Sequence, residues 1–65
     1  MTYEEIRTVL QHRAQRMLEA TREIATHGDY RLGVMVGMVS GFKTAGMLTE
    51  DEADMLADEL FDIVY

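Results

Sequence analysis

The sequence predicts an all-α fold: a small antiparallel three-helix bundle forming one domain over residues 1–65. Three observations predict it. The pattern Thr-x-x-Glu occurs twice, pairing Thr2 with Glu5 and Thr49 with Glu52. Each is a capping box, in which a hydroxyl and a carboxylate satisfy backbone N–H groups that a helix start leaves without partners. Between the boxes lies an uncharged run, residues 32–42, with Gly33, Gly37 and Gly41 four apart. Proline is absent, so nothing forces a break inside a helix.

The first helix is expected over about residues 3–27. Tyr3, Ile6, Leu10, Met17 and Ile24 follow a spacing of three to four, with Ala14 and Ala20 beside them, so one stripe faces a partner. Val9, Leu18 and Ala25 widen that stripe. Arg13 falls where a core residue is expected, and its stem can pack while the guanidinium reaches water. Arg7, Arg13, Arg16 and Arg22 alternate with Glu4, Glu5, Glu19 and Glu23. This is the pattern of a solvated face with local pairing, with a basic middle from His12 to Arg16. Gly28 reads as a left-handed stop and Asp29 as the cap of the next helix.

The second helix is expected over about residues 30–45. Leu32, Met35, Val36, Val39 and Phe42 make an apolar stripe, and Val34 and Met38 lie at its edge. Gly33, Gly37, Ser40, Gly41 and Thr44 make a second face with almost no side chains. Three interior glycines cost about 2–3 kcal/mol relative to alanine. Close approach of another backbone is the natural compensation, either from this chain or from a second copy of the same helix. A strand reading fails because polar residues do not alternate along the run and no second strand exists to pair with it. Gly46 then ends the helix.

The third helix is expected over about residues 50–64. Ala53, Leu56, Ala57, Leu60, Ile63 and Val64 form its apolar stripe, with Met55 and Phe61 at the edges. Asp51, Asp54, Asp58, Glu59 and Asp62 form the opposite face. At about 1.5 Å per residue the first helix measures about 37 Å and the others about 24 Å. That mismatch leaves apolar turns uncovered and favours a two-fold dimer.

Composition narrows the function. Sixty-five residues bury little core, and domains this short lean on disulfides, metals or oligomerisation. With no cysteine, disulfides and thiolate zinc sites are excluded. The six methionines suit adaptable contact surfaces. Net charge is −6, unevenly placed: residues 1–48 carry five acids and six bases, residues 49–65 seven acids and no base. A helix-turn-helix reading fails because the helix that would enter the groove is purely acidic. The eleven-residue uncharged run is too short to span a bilayer, which takes about 20 residues. Glu4 and Glu5 stand where a secretory leader carries bases. A cytoplasmic location is expected.

No enzyme signature emerges, and no cofactor or metal is expected. Ser40 is the only serine, set in the small-residue face, and His12 and His27 are too far apart to share an ion. Asp54, Asp58 and Asp62 recur at i, i+4 and i+8, but one helix face cannot surround a cation and the calcium loop of helix–loop–helix sites is missing.

The expected function is protein–protein binding by a regulatory homodimer. Its helix-packing and interface residues are Gly33, Gly37, Gly41, Met35, Val36, Val39, Phe42, Leu10 and Met17. Asp51, Asp54, Asp58 and Asp62 offer an acidic face to a basic partner. In size and acidic character the chain resembles bacteriophage accessory proteins, and that resemblance implies an inhibitor or nucleic-acid mimic as the alternative. DNA binding through the bases of the first helix is a further alternative, which the interleaved acids and net charge weaken.

Overall fold

The protein is described by a computed structural model over residues 1–21 and 28–65. Three helices make up the fold: α1 (Tyr3–Ala20), α2 (Gly28–Thr44) and α3 (Glu50–Val64). Among the described residues there is no strand.

Both capping boxes form. The Thr2 hydroxyl accepts from the Glu5 N–H at 3.2 Å, and the Thr2 N–H donates to Glu5 at 2.9 Å. The backbone donor holds the Glu5 carboxyl below its ordinary range, helped by the Thr2 hydroxyl. At α3 the equivalent distances are 3.1 and 2.9 Å between Thr49 and Glu52. Leu48, just before that cap, and Ala53, in the first turn after it, are both buried. They occupy the positions of a hydrophobic staple.

Gly46 ends the α2 segment as expected, with φ +79°. Its N–H donates to the Lys43 carbonyl at 3.0 Å and the Met47 N–H to the Phe42 carbonyl at 2.9 Å. This double bond pattern is a Schellman motif, and its left-handed residue is where glycine carries no steric penalty.

The other end of the helix pair departs from expectation. As described, α1 spans Tyr3–Ala20 with Thr21 as its cap, and the expected stretch from 22 to 27 lies outside the described residues. The Thr21 hydroxyl donates back to the Met17 carbonyl at 2.8 Å and accepts from Arg31 Nε at 2.7 Å. The Thr21 carbonyl accepts from Arg31 Nη2 at 3.2 Å. Gly28 opens α2 instead of stopping α1, which puts Asp29 inside the first turn rather than ahead of it. Ile24, Ala25 and His27, like Arg22 and Glu23, lie outside the described residues. With 18, 17 and 15 residues, the three helices are closely matched. The overhang expected of a first helix reaching residue 27 falls on 22–27, outside the described residues.

Arg31 clamps three segments at one pole. Besides Thr21 it reaches the Val64 carbonyl, at 3.5 Å. Thr21 is the one buried polar side chain among the described residues. Arg31→Ala should cost about 2 kcal/mol in urea unfolding, since it removes charge-assisted bonds and strands buried oxygens. Arg31→Lys should recover less than half of that loss, because an ammonium cannot fork to both Thr21 oxygens. Equal stability of Arg31→Ala and the parent would refute the clamp.

The core comprises Ile6, Leu10 and Ala14 from α1, Met35 and Val39 from α2, Leu48 from the turn, and Ala53, Leu56, Leu60 and Val64 from α3. Helix α3 packs extensively on both of the others, whereas α1 and α2 touch each other far less. That uneven packing opens a groove on the α1–α2 side.

Candidate interaction surface

The glycine face of α2 is the first feature to place. Gly33, Gly37 and Gly41 are all exposed, and a Cβ built on any of them meets nothing within 4 Å. Of the two expected neighbours, one from this chain is therefore not what the described residues supply. Ser40 and Thr44 on the same face are exposed as well.

The named packing residues divide. Leu10, Met35 and Val39 are buried in the chain's own core, and Met17 and Phe42 pack half-buried against it. Val36 does not join the stripe: it is 44% exposed. The reason is rotational. One hundred degrees beyond Met35, Val36 passes the edge of the core-facing arc, which Val34 and Met38 close on the other side.

The second feature is the groove, about 790 Å³. Its apolar lining is Val9 and Met17 from α1 with Val34, Met35 and Met38 from α2. Thr8, His12, Arg13 and Arg16 line its α1 side, and Tyr30 lies at the start of α2. Arg13 and Arg16 are exposed and make no ion pair among the described residues. Helical rotation puts Gly37 and Gly41 next to Val34 and Met38, so the groove runs directly onto the glycine face. One wall is therefore cationic and the other, Tyr30 with Val34, Met35 and Met38, largely apolar.

The acidic face also needs one correction. Asp51, Asp54, Asp58 and Asp62 are exposed as expected. Glu59 instead turns toward α1, where it accepts from Arg7 Nε at 2.7 Å and from Gln11 at 3.4 Å. The Glu59 hydrogen bond raises the Arg7 guanidinium above its usual range. Burial, then the Glu59 charge, raises the nearby Tyr3 hydroxyl. Roughly a third of each ion-pair partner stays exposed, which keeps its contribution at about 0–1 kcal/mol. A second pair, Lys43 with Glu50 at 3.8 Å, spans the Gly46 turn.

Among the described residues, no three His, Asp or Glu side chains gather into a group that could hold a metal ion. His12 is exposed at the groove edge and His27 lies outside the described residues. No helix is long and apolar enough to cross a membrane among the described residues. No known family, curated protein or solved structure matches the chain.

The sequence signalled the basic middle of α1 and the bare face of α2, but not that they border one groove. The one clue was Arg13, a cation in core register. The Arg31 clamp was missed entirely, since nothing in the spacing of Thr21, Arg31 and Val64 announces it.

Proposed function

We propose that the chain is a non-enzymatic helical interaction protein that regulates by protein–protein binding and acts as a homodimer. In this reading the antiparallel bundle presents its glycine-striped α2 to the α2 of a second copy. The observation that carries it is the open space over Gly33, Gly37 and Gly41. Those three residues weaken the helix by about 2–3 kcal/mol and gain no contact in return among the described residues. A two-fold contact between identical bare faces lets two backbones approach closely and offsets that loss.

The test is solution mass by light scattering at micromolar concentration, for the parent and for Gly37→Leu. The parent should be a dimer. Gly37→Leu should keep its helical signal, because the added side chain points into open space, yet fall to monomer mass. A monomeric parent, or a Gly37→Leu protein that still dimerises, refutes the reading.

A second reading rests on the four exposed carboxylates of Asp51, Asp54, Asp58 and Asp62. They offer a docking face to a basic protein, in the manner of an acidic inhibitor or nucleic-acid mimic. Binding through them would weaken with salt and with Asp→Asn changes at 54, 58 and 62.

A further inference from the structure

We infer that the α1–α2 groove is a docking site for an amphipathic helix with acidic flanks, supplied by a different protein. The inference rests on reading the chain as a binding module but not on the dimer. Helices α1 and α2 both pack on α3 and, among the described residues, leave the fourth position of a bundle open between them. From Val9 to Met17, and from Tyr30 to Met38, the groove runs about 12 Å, which is a little over two helical turns.

Charge selects the occupant. The floor is apolar, so the incoming face must be apolar too, with anchors at i, i+3, i+4 and i+7. The α1 wall carries Arg13, Arg16 and His12 and no acid. Arg13 and Arg16 have no ion-pair partner among the described residues. Carboxylates flanking the incoming apolar stripe would pair with them, whereas lysines would be repelled. The opposite wall is Tyr30, Val34, Met35 and Met38, and Gly37 lies outside it. Duplex nucleic acid is the weaker candidate. Only one wall is basic, the floor is methionine and valine, and the chain as a whole carries −6.

The groove sets a rim charge against an apolar floor, so the two can be tested separately. The probes are labelled synthetic helices of about four turns that share a leucine stripe and differ only in flanks of Glu, Gln or Lys. Fluorescence anisotropy should show the Glu helix binding at least about tenfold more tightly than the Lys helix, with Gln between them. The exposed double change Arg13→Glu with Arg16→Glu should reverse that order. Met38→Glu should abolish binding of the Glu helix while circular dichroism confirms the fold.

No binding by the Glu helix, equal binding by all three flanks, or an unchanged order in the double variant would each overturn the inference. So would tighter binding of random duplex DNA or of anionic phospholipid vesicles. If the parent is a dimer and the Glu helix binds only to the Gly37→Leu monomer, a second copy fills the groove and the inference fails. If the parent is a monomer and the Glu helix binds, the dimer fails and this inference stands.

Discussion

Leu56→Ala should lose about 3 kcal/mol of stability. Leu56 is fully buried, in the one helix that packs on both others. Removing most of its side chain forfeits the transfer energy and leaves a cavity that three helices must collapse to fill. A chain of this length has only about 3–10 kcal/mol in total. The variant should therefore lose about a third or more of its stability, read as a lower urea midpoint by circular dichroism. Met55, next along the chain, is 55% exposed. Met55→Ala should stay within about 0.5 kcal/mol of the parent. A Leu56→Ala protein as stable as Met55→Ala would show that α3 is not the centre of the bundle.

The second large effect has the opposite sign. Replacing Gly33, Gly37 and Gly41 together by alanine should stabilise the isolated chain by about 2–3 kcal/mol. Each new methyl enters open space, so no contact opposes the gain in helix propensity. The same three methyls should weaken self-association, because they hold two backbones apart. The melting temperature of the variant should be higher than the parent's at the lowest measurable concentration and nearly independent of concentration. A loss of stability on dilution to monomer would mean that the glycines pack against something within the chain.

Much of the fold could be read from residues whose physics is local. Thr2, Glu5, Thr49 and Glu52 declare helix starts within four positions of sequence. Gly46 declares a stop because only a residue without a Cβ sits easily at its φ. The apolar spacing of Ile6, Leu10, Leu56 and Leu60 then places the core. What could not be read depends on distant partners. The hydrogen bonds that tie Thr21 down come from Arg31, ten positions away, whose guanidinium reaches both its hydroxyl and its carbonyl. Glu59 looked like one more solvated acid, and only the arrival of Arg7 from 52 residues away separates it from Asp58.

The candidate surface was half legible for the same reason. The glycine stripe is periodic and so visible along the chain. The groove is a gap between two helices, and a gap leaves no pattern in either one. Its cationic wall and its apolar floor were each apparent, but their meeting depends on how far α1 and α2 splay apart over α3.

The brevity of the Gly46 turn bears on the order in which the molecule assembles. It brings Lys43 and Glu50 together across seven positions, whereas α1 meets α3 across about fifty. Closing a longer chain costs more entropy, so α2 and α3 should pair first and α1 should dock last. The reverse step, detachment of α1, should then be the easiest excursion from the native state. Its amide protons should exchange through a lower-energy opening than those of α2 and α3. Because α1 carries Arg13 and Arg16, each such excursion also opens and reseals the cationic wall of the groove. Slower exchange in α1 than in α3 would reverse this order of assembly.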